Sequence, residues 1–505
     1  MSDDVRLHTR IASLEQQLAN REAIIGKLLA EIKRLKHRQF GSSSERVEAT
    51  LQQLGLALEA MQSAPPPPIA EPSPAQDADS KVTPLRRPRA LPTDLPRQVI
   101  VHAPEGHCPD CGTSLRPLGE DVSEMLHWVP GHFEVIRHVR PKLSCGQCSR
   151  VVQQPAPSRP IPRAMATPGL LAQVVISKYA DHLPLYRQAA IYRRAGLELH
   201  RATLADWVGE AARLVAPLAD ALGRYVRAAA KVHADDTPLP VLDPGRGKTR
   251  TARLWTYVRD DRPAGCLDPP AVWYRYSPDR KGIHPQTHLA GFTGILQADG
   301  YAGYAPLYAQ GVREAACWAH ARRKFHEVYA VDQSPLAGEA IRRIGLLYAI
   351  EREIRGEPPA VRRAVRQERA LGLLDGLHAW LSATLQQVSG RSSLAAAIQY
   401  SLVRWEALTR YCEDGRIEID NNPAERSIRA LVLGRKNYLF AGSDAGGEHA
   451  ANLYSLINSA LLNGIEPHAY LSRVFEVIAD HPINRIEELL PWHLGRPASD
   501  ERKSA

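Results

Sequence analysis

Hydrophobic positions repeat in different ways along the chain, and each repeat predicts a different element. Near the start, Leu7, Ile11, Leu14, Leu18, Ile25, Leu28, Ile32 and Leu35 follow in alternating steps of four and three, broken only at Arg21. A repeat near 3.5 residues makes a narrow apolar seam that a second helix covers best. Residues 1–40 therefore predict a coiled coil and self-association, with an amphipathic helix packed on its own domain as the plainer alternative. The pattern stops at Phe40-Gly-Ser-Ser-Ser-Glu45. Residues 41–98 read as a linker, extended and semi-rigid over Ala64-Pro-Pro-Pro-Pro-Ile69.

Alternation in Phe133-Glu-Val-Ile-Arg-His-Val139 predicts a strand inside a 99–160 module. Helical spacing fills 161–228: Leu170 to Tyr179, Tyr186 to Arg194 with a break at Gly196, and a third helix opening at Arg201. From 229 the pattern turns α/β. Strands are expected at Lys231-Val-His-Ala-Asp-Asp-Thr-Pro238, at Arg253 to Arg259 and at Ala271 to Tyr276. A buried strand, Gly294-Ile-Leu-Gln-Ala-Asp299-Gly-Tyr301, ends in a carboxylate, and a fifth is expected through Glu314 to His320. Gly245-Arg-Gly-Lys-Thr249 mimics a phosphate loop, but Leu242 stands where that motif needs its first Gly, so it reads as a hairpin tip. Helical pattern alone fills 331–411, an insertion that splits the α/β region into 229–330 and 412–465. A C-terminal helix and a disordered polar tail are expected in 466–505.

The chain's 505 residues exceed what one core holds, which fits this multidomain α+β reading. A composition of 44% hydrophobic and 24% charged residues is that of an ordinary globular protein. The net charge of +9 is compatible with a nucleic-acid partner without proving one. No apolar run approaches the roughly 18 residues that span a bilayer, and the N-terminus lacks a signal-peptide core, so no membrane partner and a cytoplasmic location are expected.

Cys108-Pro-Asp-Cys111 and Cys145-Gly-Gln-Cys148 are two Cys-x-x-Cys knuckles whose spacing matches a four-thiolate zinc site, with Gly112 and Gly146 suiting the turns. With a strand between them, a zinc ribbon is expected. A closed four-ligand site is structural. Helix–turn–helix spacing with Arg187, Arg193, Arg194 and Arg201 suggests DNA contact in 161–228, against the alternative of a basic-faced bundle.

Three acidic positions carry the candidate chemistry. The Asp235-Asp236 pair on the first α/β strand could be turn chemistry closed by Asp236-Thr237-Pro238, or a carboxylate aimed at a metal. Asp299 ends a later strand. Glu425 follows Asn422, a good N-cap, and Pro423, a good first helical residue, so it could close a capping box or point at a site. Arg426, Arg429, Arg435 and Lys436 follow, enough charge for a phosphate backbone. Asp, Asp and Glu in this order is the arrangement of a ribonuclease-H-like core, where two divalent ions about 3.5–4 Å apart activate the attacking oxygen and stabilise the leaving one.

The chain resembles the insertion-sequence-66 family of DDE transposases over nearly its whole length. The resemblance rests on Arg38-Gln-Phe-Gly-Ser-Ser-Ser-Glu-Arg46, the zinc knuckles and Ser177-Lys-Tyr-Ala-Asp-His-Leu-Pro-Leu-Tyr-Arg187. It rests equally on His233-Ala-Asp-Asp-Thr-Pro238, Ala298-Asp-Gly-Tyr301, Cys317-Trp-Ala-His-Ala-Arg-Arg-Lys-Phe325 and Asp420-Asn-Asn-Pro-Ala-Glu-Arg426. The family usually reads Asp-Glu-Thr where this chain reads Asp235-Asp236-Thr237. The resemblance implies a transposase that binds the ends of an insertion element and performs cleavage and strand transfer on target DNA. It implies two Mg²⁺ on Asp235, Asp299 and Glu425, with Asp236 as a neighbour, and small accessory proteins as partners. Cys317 and His320 belong to the shared motifs, with buried packing as the plain account of the cysteine. Two alternatives stay open: a metal-dependent nuclease that does not join strands, and a transposase-derived DNA-binding regulator without catalysis.

Overall fold

Two sheets organise the protein. The computed structural model describes residues 91, 95–129 and 131–494, all within a unit that runs from Arg89 to Ala505. The expected coiled coil, nearly all of the linker and the polar tail from 495 lie outside the described residues.

The first sheet holds β1 (Arg97–Val101), β2 (Leu115–Val129), β3 (His132–Cys145) and β4 (Val151–Gln153), ordered β1-β3-β2 with β4 also on β3. The expected 133–139 strand lies within β3. It pairs antiparallel with β2 from Leu115↔Cys145 to Val129↔His132. One end of this hairpin carries the cysteines. The other end places Leu126, Phe133 and Val135 in the main core, shared with the helices that follow.

Those helices are α1 (Pro168–Tyr179), α2 (Leu185–Arg194), α3 (Arg201–Leu214) and α4 (Ala216–Arg227), close to the positions the apolar spacing predicts. Thr167 caps α1, its hydroxyl accepting the Leu170 N–H at 3.2 Å.

The second sheet has the order β7-β6-β5-β8-β9, from β5 (Lys231–Asp243), β6 (Lys248–Arg259), β7 (Ala271–Ser277), β8 (Ile295–Gln297) and β9 (Arg313–Ala315). β5, β6 and β7 pair antiparallel; β8 and β9 continue parallel to β5. Gly245 and Gly247, at φ +88° and +64°, turn the β5–β6 connection, which is the expected hairpin tip. Two expectations change here. The strand predicted through Glu314 to His320 stops at Ala315. The Ala316 N–H goes to Ala407 and the Trp318 N–H to Ile419, so the chain leaves the sheet. His320 is helical instead, in α5 (Trp318–Asp332).

The second change concerns β5. Asp235 and Asp236 close no turn, because the strand runs on through Pro238 and Pro240 to Asp243. Backbone parity explains why proline is tolerated. The Leu242 N–H donates to Ala441 and the Pro240 C=O accepts from Ala441, so even-numbered residues turn their polar groups away from β6. Pro238 and Pro240 share that parity and remove no bond from the β5–β6 ladder. The outward N–H of Asp236 is satisfied locally by Asp235 Oδ1 at 2.7 Å.

Between β9 and the return of the chain come α5, α6 (Pro335–Glu353), α7 (Pro359–Val365), α8 (Leu371–Gln387) and α9 (Ser393–Val403), built round a second hydrophobic core. Beneath it, Arg366 grips Glu351 through two hydrogen bonds of 2.7 and 2.6 Å, and Arg362 reaches Glu418 at 2.8 Å. All four side chains are buried. The chain returns through α10 (Asn422–Arg435), α11 (Asp444–Leu462) and α12 (Pro467–Val477). The sheet edge at β7 is covered by α11, whose Ser455 and Ser459 hydroxyls accept the Tyr274 and Val272 N–H groups at 2.8 and 3.0 Å. Polar residues on a helix thereby complete an edge strand that would otherwise expose unpaired backbone.

Candidate active site and zinc site

Parallel register brings the first two carboxylates together. β5 and β8 pair Lys231↔Ile295, Val232↔Leu296 and His233↔Gln297. Two residues further on, this register sets Asp235 level with Asp299. Asp299 lies just past the end of β8, in a loop fixed by the Tyr301 N–H, which donates to its Oδ1 at 3.1 Å. At Gly300 a Cβ would meet the Arg404 guanidinium, which donates to the Gly300 C=O at 2.8 Å.

Glu425 arrives from the first turn of α10, and Asn421 sets that turn. The cap residue is Asn421, not the expected Asn422, and its side chain makes no cap bond. It is fully buried and reaches across to β5 instead. Its Nδ2 donates to the Ala234 C=O at 2.8 Å, which leaves Oδ1 to accept from His233 Nδ1 at 3.1 Å. Its backbone N–H donates to Cys317 Sγ at 3.1 Å. One residue therefore ties the start of α10 to β5 and to the start of α5. Nor does Glu425 close a capping box. Among the described residues its Oε1 has no hydrogen-bond partner; the Arg323 guanidinium lies 3.6 Å from its other oxygen, and the His320 ring, which burial keeps toward the neutral form, has Nδ1 3.7 Å from Oε1.

The two adjacent aspartates have different surroundings. Asp236 is 2% exposed and bound on both oxygens, by Arg253 at 3.0 Å and Arg280 at 2.8 Å. Burial raises its pKa while these guanidiniums oppose the rise. Arg280 also lies 3.8 Å from Asp299 and stacks on the Tyr301 ring. Among the described residues, none forms such an ion pair with Asp235. Burial, then the charges of Asp299, Asp236 and Glu425, push its carboxyl up to about 8, with only the Asp236 N–H opposing. Carboxylates that converge with this little compensation are a fit environment for hard divalent cations, whose charge relieves the repulsion.

Arg187, Arg194, Arg201, Arg426, Arg429 and Lys436 are all exposed, as DNA contacts must be. The Arg435 side chain lies outside the described residues. Sequence reasoning missed Asn421, Arg253 and Arg280, whose partners are distant in the chain. It also missed the approach of Cys317 and His320 to Glu425, although Cys-x-x-His at a helix start places both on one face.

In the first sheet, the four knuckle sulfurs lie within 4.8 Å of one another. Gly112, just after Cys111, takes φ +71°. The equivalent position in the second knuckle is Ser149, at φ +58°, not the expected Gly146. The Gly112 N–H returns to the Cys108 C=O and the Ser149 N–H to the Cys145 C=O, at 2.8 and 3.1 Å. Four convergent thiols on two matched turns fit structural zinc.

Comparison with known families agrees with this geometry. The family model described as "Transposase IS66 family" matches residues 163–449. The chain belongs to the IS66 transposase family. Further family models match at 105–149 ("zinc-finger binding domain of transposase IS66"), at 455–492 ("IS66 C-terminal element") and at 27–100 ("Transposase C of IS166 homeodomain"). Relatives in Sinorhizobium fredii (strain NBRC 101917 / NGR234) cover nearly the whole chain. The uncharacterized protein y4hP is 40% identical over 93% of this chain and 89% of its own length. The uncharacterized protein y4qI is 39% identical over 96% of this chain and 93% of its own. Membership makes the protein a transposase and implies DNA as its partner. Among the described residues, no helix is long and apolar enough to cross a membrane.

Proposed function

We propose that this IS66-family transposase cuts and joins DNA by a DDE mechanism in which Asp235, Asp299 and Glu425 hold two Mg²⁺ ions. The observation that carries the reading is the β5–β8 register, which aligns Asp235 with Asp299 where, among the described residues, none forms an ion pair with Asp235. When bound, the ions would supply an activated oxygen nucleophile and a stabilised leaving oxygen. The chain's own residues do the positioning. Asn421 holds the α10 start, and so Glu425, against β5. Arg253 and Arg280 neutralise Asp236 and leave Asp235 as the free acid of the pair. Support for a ribonuclease-H-like core comes from the sheet itself, an antiparallel β7-β6-β5 continued by parallel β8 and β9 with β5 central. The helices α6 to α9 would be the insertion before the third acid, and the exposed arginines of α2, α3 and α10 would follow the DNA backbone. The heptads of 1–40 would pair two copies.

The test uses purified protein, labelled element ends and Mg²⁺. Cleaved and joined products are expected, and Asp299→Ala should abolish both. Cleavage that survives this substitution overturns the reading. Cut but unjoined ends would identify a nuclease, and specific end binding without cleavage a regulator.

A further inference from the structure

A second set of ligating atoms lies beside the carboxylates. Cys317, His320 and Glu425 present a sulfur, a ring nitrogen and a carboxylate oxygen all within 4.8 Å of one another. Cys317 caps the start of α5 and His320 stands in its first turn, so the two share a face. Glu425 faces them from the first turn of α10.

Local bonding suits a metal thiolate. Cys317 Sγ accepts the Asn421 backbone N–H at 3.1 Å, which fixes its direction. Burial raises the pKa of the free thiol, so the metal ion itself must displace the proton. Meanwhile His320 Nδ1 and Glu425 Oε1 are buried atoms without a hydrogen-bond partner, 3.7 Å apart. Buried polar groups left unsatisfied are costly, and two of them converging beside a thiol ask for a common partner.

We propose that Cys317, His320 and Glu425 form a binding site for a thiophilic divalent ion of the zinc class, separate from the four-cysteine site. Thiolate and imidazole select zinc over magnesium, which prefers oxygen. Three protein ligands leave a fourth position open for water. Binding forms a metal–sulfur bond while the Cys317 S–H releases its proton to solvent, with no change of oxidation state. The site also has a consequence for activity, which rests on the proposed role of Glu425. A zinc ion that engages Glu425 withdraws it from Asp235 and Asp299, so zinc acts as a brake on Mg²⁺-driven strand cleavage.

The experiment loads the full chain with zinc, removes loosely held metal by dialysis and measures the zinc retained. About two equivalents are expected, one per site. His320→Ala and Cys317→Ser should each lose about one and keep the one held by the four-cysteine site, which also reports that the variant has folded. Cys317 is buried and its variant is at risk of misfolding; His320, on a partly exposed position, serves as the independent variant. Asp299→Ala should retain both equivalents while losing cleavage, so failure of the zinc site and failure of the DDE reading are distinguished. Added zinc should slow Mg²⁺-driven cleavage by the wild-type chain by about tenfold or more. One equivalent in the wild-type chain, or two in His320→Ala, overturns the site. Two equivalents with zinc-insensitive cleavage overturn the brake.

Discussion

Asp235 and Asp236 are neighbours in sequence with opposite electrostatics, and their variants should separate accordingly. Asp236→Asn leaves Arg253 and Arg280 without their shared partner and should cost roughly 2–4 kcal/mol of stability, measured by denaturant unfolding. Asp235→Asn should raise the stability of the metal-free chain near neutral pH and abolish strand cleavage. Equal residual activity in the two variants would undo the assignment. The pH dependence has a defined sign. The Asp235 carboxyl rises from 3.8 to about 8 on folding. Between these values the unfolded chain gives up a proton that the folded, metal-free chain keeps, so stability falls as pH rises through that window. The contribution is on the order of 1–3 kcal/mol for this partly exposed group. Thermal melts of metal-free protein at pH 5 and pH 8 should show the loss, and Asp235→Asn should remove it. A wild-type melt independent of pH over this range would contradict the account.

Among elements, the start of α10 decides whether the third acid arrives. Asn421→Ala removes the bonds to His233 and Ala234 while keeping the backbone bond to Cys317. It should cost about 1–3 kcal/mol and lower the cleavage rate more than the affinity for DNA. A loss confined to DNA affinity would count against a positioning role. The insertion depends on a different buried network. Glu351→Ala takes the buried Arg366 guanidinium's counter-charge away, leaving it the Tyr411 and Asp414 carbonyls, and should cost about 3–5 kcal/mol, read as a lower unfolding midpoint. Replacing both partners by apolar residues of similar volume should recover much of that loss. Sequence periodicity was reliable for these helices, whose apolar faces are local patterns. It failed for the strand expected through Glu314 to His320, because the backbone partners that end it, Ala407 and Ile419, are supplied by remote segments.

At the scale of the whole chain, deletion of residues 1–40 should convert an associated protein to a monomer in sedimentation experiments. An unchanged mass would reject the coiled coil as the association device. Much of the site was legible before any fold was known. The four cysteines, the three acids in order and the basic run after Glu425 are local motifs whose spacing the chemistry itself imposes. The sequence by itself thus determined most element types, the four-cysteine cluster and the set of candidate acids, since these depend on residue type and short-range periodicity. The tertiary structure decided which Asp of the pair is free, because Arg253 and Arg280 reach Asp236 from other strands and loops. It also decided how Glu425 is held and that Cys317 and His320 stand beside it. Those are contacts between residues far apart in the chain, and only the closing of β5, β8, α5 and α10 on one another brings them within reach.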